Sequence, residues 1–550
     1  MPDTRSEIDT SLSDIITLEE PLGPHATEKL VGKGQAVFRS LYDDTNGVHL
    51  EAQTDEPHFV VGRKGAGKTA FLLGTAFAQE KTDVSLIRSE DIYTEVNKLL
   101  LRYEKANGAV AADRLAHVWE VLLFHAAMHA IVRSDDLPNS EALRNLWNYM
   151  SAFGRPDEIE TDDLLAAVGA EMTEALLVAE SGKSFRHDCW SIRPGQKSFG
   201  EAVVWTREIL EGANGHTIFV VVDNLEDLHA HLDAFSPVII ALFRLVGRNA
   251  AGDGREFPFK MRFAFPAELL EHLNDLAANA EKDFVDRQTI RWTAQELIAI
   301  VGHRLRIFLN LHFPSAPRKL GLPQQHDARD AEAAAATLRA LLPDEMINRL
   351  QGKEDPVAYL MRHTQLLPRH LILMLNHVMR NAVAGLEPGD VPRVSPAGLL
   401  KGVSEAETVI LSGILSSYSY QYPHVKKALR TIKNRVAVVD DTSRVHQAFN
   451  ESGTAKKTGL DFDDFLDACL GIGAFGIVTK EGPGLRYTEG NFSYTFANGI
   501  RGVESEDRVC VHPLFVPLLF DRHRIKKMAT VGYAAVYPYG SDPLHVDYQV

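Results

Sequence analysis

Apolar residues along the chain fall into two patterns. Short, largely apolar runs at 59–61, 84–87, 218–222 and 260–265 are bounded by polar or turn-forming residues. Runs of this length suit strands buried on both faces of a parallel sheet. Between them, apolar residues recur at helical spacing over 26–42, 70–79, 111–132, 237–248 and 294–309, with Thr293 placed to cap the last of these. With 289–292 as a final strand, the pattern predicts an α/β unit: a parallel sheet of about five strands, with a helical insert at about 92–200.

The pattern changes beyond 315. Residues 315–335 are rich in Pro, Gln, Asp and Ala and read as a linker or as the edge of the preceding domain. Two helices follow over 356–384, separated at Leu367-Pro368-Arg369; Pro368 suits the first helical position and sets Arg369 in the first turn. From 404 to 520 come a helix at 406–417, a basic stretch, a helix over 462–471, and short strands at 476–479 and 492–496, the outline of a winged helix. The expected organisation is a flexible arm 1–24, an α/β core 25–314, a linker and helical lid 315–400, a winged-helix-like domain 401–520, and a tail 521–550 with no assigned role.

The first predicted strand runs into GRKGAGKTA, Gly62 to Ala70. Gly62, four residues, Gly67, Lys68 and Thr69 form the phosphate-binding P-loop pattern. The glycines let successive N–H groups of Gly62, Arg63, Lys64, Gly65, Ala66, Gly67, Lys68, Thr69 and Ala70 converge on phosphate oxygens at a helix N-terminus. Lys68 supplies a charge for the β- and γ-phosphates, and Thr69 a hydroxyl for Mg²⁺. Further on, TIFVVVDNLEDL has the form of a Walker B strand ending in Asp223, a second Mg²⁺ holder. ATP and Mg²⁺ are thus the implied cofactors.

Composition narrows the remainder. Lys plus Arg number 58 and Asp plus Glu 74, a formal charge of −16, which argues against a generally basic nucleic-acid coat but leaves local patches, notably Lys426, Lys427, Arg430, Lys433 and Arg435. Three dispersed cysteines, Cys189, Cys469 and Cys510, read as reduced thiols without metal-ligand spacing. The N-terminus lacks a signal pattern and no apolar stretch is long enough to span a bilayer, so a cytoplasmic, non-membrane protein is expected. His117, His125 and His129 read as packing or surface residues rather than a metal site, because no carboxylate or cysteine recurs at a matching offset. Asp461, Asp463, Asp464 and Asp467 read as helix-capping and solvating groups, since the glycine and terminal glutamate of an EF-hand loop are missing.

GRKGAGKT, VVVDNLED, IRWTAQELIAIVGHRL and LLPRHLILMLN together resemble bacterial P-loop ATPases of the AAA+/STAND superclass, in element order over about 59–520. The resemblance implies an ATP-hydrolysing, nucleotide-dependent oligomeric switch or motor, in anti-phage defence or DNA transactions, with a neighbouring effector protein and DNA or RNA as candidate partners. By the same resemblance Arg369 corresponds to the lid arginine, sensor 2, that reads the γ-phosphate, while Arg244, Arg248 or Arg262 corresponds to a finger reaching a neighbour's site. Asn224 stands where many relatives carry an acidic residue, and Phe265-Pro266 stands where a polar sensor 1 residue belongs. Glu226 is then the candidate catalytic base, with helix N-terminal charge as its alternative role. Two other functions remain open: a nucleotide-sensing scaffold that does not hydrolyse, and a winged-helix DNA-binding regulator.

Overall fold

The computed structural model describes residues 11–27, 30, 35–41, 59–77, 81–88, 112–178, 198–223, 239–246, 257–267, 287–323, 330–419, 421–481, 487–493, 507–531 and 535–541. They belong to two units, 48–290 and 1–47 with 291–550.

The unit 48–290 is built on a five-stranded sheet: β1 (Phe59–Gly62), β2 (Thr82–Arg88), β3 (Thr217–Asp223), β4 (Lys260–Pro266) and β5 (Arg287–Thr289). Its order is β2-β3-β4-β1-β5, and every pairing is parallel. All four residues of β1 are buried, as is all of β3 and β4 beyond the first residue, which explains runs that do not alternate with polar residues. The last strand is β5 rather than 289–292; it ends at Thr289.

Helix α1 (Lys68–Phe77) follows β1, and α2 (Ala112–Arg133), α3 (Glu141–Met150), α4 (Thr161–Val178) and α5 (Phe199–Gly212) lie between β2 and β3 in sequence. The described part of the expected insert is not an appendage. Trp119, Leu122, Leu123, Ala126 and Ile131 of α2 are at most 1% exposed and share one hydrophobic cluster with Phe59, Ile87, Ile218 and Phe263 of the sheet. Apolar residues surround α2 on nearly all sides because it packs on β2, β3 and neighbouring helices at once. His125 lies inside this cluster, its Nδ1 2.7 Å from Val121 O and its Nε2 3.0 Å from the Tyr149 hydroxyl, stacked on Phe199.

In the other unit, α6 (Ala294–His312) begins with a capping box between Thr293 and Glu296. Residues 315–335, expected as a linker, contain helix Ala316–Lys319 and the start of α7 (Ala331–Leu341), which packs on α6. At that crossing a Cβ on Gly302 would lie 2.1 Å from Ala334 O, so only glycine permits the approach. Nor are residues 11–24 a loose arm. Leu12, Ile15, Ile16 and Leu22 are buried, Asn376 holds Leu22 N–H and Gly23 O at 2.7 and 2.9 Å, and Arg304 donates to Leu22 O at 3.0 Å. Apolar residues too few to show a period are enough to dock a short segment.

The two helices expected over 356–384 are α8 (Pro356–Arg362) and α9 (Pro368–Val383), followed by α10 (Pro396–Ser417). The basic helix α11 (Val425–Thr431), α12 (Thr442–Glu451) and α13 (Phe462–Gly471) come next; Asp461 caps α13 by accepting from Asp464 N–H at 2.8 Å.

A two-residue hairpin, β6 (Met346–Ile347) with β7 (Lys353–Glu354), precedes α8. The expected strand 476–479 lies in β9 (Phe475–Glu481), whose antiparallel partner is β10 (Tyr487–Asn491). That partner ends at Asn491, not within 492–496. These two belong to a five-stranded sheet, β12-β10-β9-β11-β8, with β8 (Val439–Asp441), β11 (Arg508–Val511) and β12 (Ala535–Pro538). The segment read as a tail therefore contributes α14 (Arg522–Val531) and β12, which pairs with β10 in parallel.

Charge is buried where the hairpin, α8 and β12 meet. Arg362 donates from Nε to Glu354 Oε1 at 2.6 Å and from Nη2 to Oε2 at 3.1 Å. Tyr537 and Asn348 each donate to the same carboxylate at 2.7 Å. Arg349 Nη1 donates to Glu407 Oε2 at 2.8 Å. Among the described residues no helix is long and apolar enough to cross a membrane.

Candidate nucleotide site

Because β1 and β3 run parallel, their C-terminal ends lie on the same edge of the sheet, although β4 separates them. Outside the carboxyl ends of the strands is where open α/β sheets hold ligands. Gly62 to Gly67 leaves β1 and turns into α1. Gly65 and Gly67 each have φ +88, a conformation that a Cβ would strain. A Cβ on Gly62 would come within 3.2 Å of Ala66 Cβ and Lys68 Cγ, so glycine also keeps the turn closed. Ala66 N–H donates to Arg63 O at 2.9 Å, which fixes the bend.

Lys68 is 5% exposed and Asp223 6%. Lys68 Nζ donates to Gly62 O at 3.0 Å and Arg63 O at 3.3 Å, placing its ammonium over the mouth of the loop. Thr69 Oγ1 donates to Asp223 Oδ2 at 2.5 Å. Two oxygen ligands from motifs far apart in sequence are thus side by side, as one Mg²⁺ bound by a hydroxyl and a carboxylate requires. The fold is that of an α/β P-loop NTPase.

Other candidate residues have different settings. Arg262 is 3% exposed; its guanidinium lies 4.7 Å from the Phe219 ring and Nη1 donates to Thr75 Oγ1 of α1. It points into its own unit and cannot serve as a finger to a neighbour. Arg244 is exposed on the helix over 239–246. Arg369 lies in the first turn of α9, half-buried, with Nε lacking a hydrogen-bond partner among the described residues. The turn before it is tight: Leu366 has φ +50, rare for a residue with a branched side chain, and Leu367 is extended as the residue before proline must be. Asn224, Glu226, Asp227, Arg248 and Cys189 lie outside the described residues.

Burial lowers the His125 pKa to about 4, consistent with a neutral packing histidine. No cluster of three metal-ligating side chains occurs among the described residues. Sequence reading missed Arg262 as a tie between α1 and β4, and missed the Arg362–Glu354 pair. Neither has a local signature, since Thr75 and Tyr537 are brought to them from distant strands and helices.

No protein-family model and no curated protein matches the chain. Among solved structures it is similar to the ORC2 protein of Aeropyrum pernix, a structure of ADPNP–ADP complexes, at 12% identity over 91% of this chain and 93% of that one, with a TM-score of 0.38. It is also similar to Cdc6p from Pyrobaculum aerophilum at 13% identity over 95% of this chain and 98% of that one, with a TM-score of 0.29.

Proposed function

We propose that the chain is an ATP-binding, Mg²⁺-dependent ATPase of the AAA+ kind, working as an oligomeric switch. The observation that carries this reading is the Thr69–Asp223 contact at the edge of the sheet. The loop N–H groups and the N-terminus of α1 suit the phosphates, Lys68 suits the β- and γ-oxygens, and Thr69 with Asp223 suits the metal, which would neutralise charge developing on the γ-phosphate. Glu226 would orient the attacking water, with Asn224 a weaker substitute because an amide accepts a proton poorly. Arg369 would read the γ-phosphate from the lid, and Arg244, which is exposed, or Arg248 would act on a neighbouring subunit.

ATP-Mg²⁺ should raise the unfolding temperature of the wild type, by an amount equivalent to about 2.7 kcal/mol at a hundredfold excess over Kd; Lys68→Ala should lose that stabilisation. Absence of the effect in the wild type would reject the reading. Glu226→Gln should keep ATP binding and lose most phosphate release, and undiminished turnover in an assembled sample would move the role of base to Asp227. A neighbour-dependent site also requires assembly, so light scattering that shows one monomer with and without a slowly hydrolysed ATP analogue would contradict the oligomer.

A second reading, a nucleic-acid surface on the C-terminal part, is favoured by one contact. Asn434 and Asp521 exchange hydrogen bonds at 2.8 and 3.0 Å, which sets the exposed Lys426, Lys427, Arg430, Lys433 and Arg435 near the start of α14 with its exposed Arg522, Lys526 and Lys527. Two basic clusters separated in sequence thereby join into one surface. DNA affinity should fall steeply with salt, and a Lys426/Lys427/Arg430 charge-removal variant that bound DNA as well as the parent would end this reading.

A further inference from the structure

A partly enclosed cavity of about 50 Å³ lies within the C-terminal part of the molecule, walled by α8, the end of β11, α14 and β12. Most of its wall is aliphatic, including Val438, Val516, Met528 and Val536. Four polar residues, Arg349, Tyr359, Arg362 and His363, also line it; Arg362 is engaged by Glu354 and His363 Nδ1 lies 2.6 Å from Tyr359 O. Tyr359 is 0% exposed, and its hydroxyl has no hydrogen-bond partner among the described residues. Arg349 uses Nη1 on Glu407, while its buried Nη2 likewise has no partner there.

Buried donors are nearly always matched by an acceptor. Neighbouring carboxylates do not meet these two donors: Glu354 is already engaged by Arg362, Tyr537 and Asn348, and Glu407 takes Arg349 Nη1 through Oε2 while its Oε1 lies 3.5 Å from His363 Nε2 and bonds neither Tyr359 nor Arg349 Nη2. Burial first, against the opposing pull of the nearby arginines, moves the Tyr359 phenol up to about 12, so its hydroxyl remains a donor at neutral pH. Two unpartnered donors in one largely aliphatic cavity suit a planar two-oxygen acceptor with a short apolar tail. One water-sized probe needs roughly 10–15 Å³, so the space suits about four heavy atoms.

We propose that this cavity is a binding site for a two- or three-carbon carboxylate, its oxygens accepting from Tyr359 and Arg349 and its alkyl end against Val516, Met528 and Val536. Occupancy would tie α14 and β12 to α8, which makes the cavity a small-ligand sensor separate from the P-loop. The inference does not rest on nucleotide binding.

The test uses the full chain with sodium propionate against sodium chloride at equal ionic strength, and 1-propanol as the uncharged control. Calorimetry should show saturable propionate binding, accompanied by a higher unfolding temperature and greater hydrogen-exchange protection of β12 and α14. Tyr359→Phe removes only a hydroxyl that has no partner there, so the variant should fold as well as the parent yet bind propionate about tenfold more weakly. Val516→Phe should fill the space and abolish binding, whereas Lys68→Ala should bind propionate normally. Absence of a saturable propionate effect beyond chloride, as for a cavity holding only water, would overturn the proposal. So would equal binding of 1-propanol, or undiminished affinity in Tyr359→Phe.

Discussion

The two units bury ionisable groups in different ways. In 48–290 the buried Lys68 and Asp223 stand at the sheet edge, Lys68 at the start of α1 and Asp223 at the end of β3, above a core of mainly aliphatic and aromatic side chains. In the C-terminal part Arg362 and Glu354 face each other well inside, with side chains 6% and 3% exposed, and Arg349 and Glu407 form a second pair beside them. An edge location keeps charged groups available to a ligand that brings opposite charge. An interior pair is matched by the protein itself and serves to fix geometry: the Glu354 carboxylate gathers groups from the hairpin, α8 and β12 into one arrangement. Buried charge thus lies at a sheet edge beside the candidate site in one unit and gathers elements together in the other, although Arg262 also ties α1 to β4 inside the first.

The largest effect should come from breaking the interior pair. Arg362→Ala leaves Glu354 buried without its cation and should cost about 3–5 kcal/mol, read as a lower urea midpoint. An unchanged midpoint would mean that water or another side chain compensates the carboxylate, and the contrast between the units would weaken.

The next effect sharpens the same contrast through pH. His125 in the apolar core has its pKa lowered to about 4 by burial, below its ordinary value of 6.5. The native protein therefore stays unprotonated there while the unfolded chain takes up a proton, so the associated stability is complete above about pH 6.5 and is lost as pH falls toward 4. The total is roughly 3 kcal/mol at 1.36 kcal/mol per pH unit. In His125→Leu the slope of unfolding free energy against pH over that window should drop by about one proton; an unchanged slope would show that other groups dominate.

The smallest effect is local. Thr293 accepts from Glu296 N–H at 3.2 Å and Glu296 bonds back to Thr293 N–H at 2.7 Å. Thr293→Ala should cost about 1 kcal/mol, a fraction of the Arg362 effect in the same unit, and an equal loss in both variants would remove the distinction between surface capping and interior pairing.

Local chemistry was legible from sequence because it requires neighbours in the chain. Gly62 through Thr69 must be contiguous for successive N–H groups to share one phosphate, Pro368 must precede Arg369 to start α9, and Thr293 must sit three residues before Glu296 to close the capping box. The strands β1, β3 and β4 were equally legible, since burial on both faces leaves apolar runs, broken in β4 only by Arg262. Whatever depends on residues far apart in sequence was decided by the tertiary structure. It sets Asp223 against Thr69, turns Arg262 inward onto Phe219, docks residues 11–24 through Asn376, and lets the last strand, β12, complete a sheet and bring Tyr537 to Glu354. A chain encodes such pairings only through the sum of many packing contacts, so no short stretch carries their signature, and one of the three arginines offered as a finger, Arg262, is a core residue.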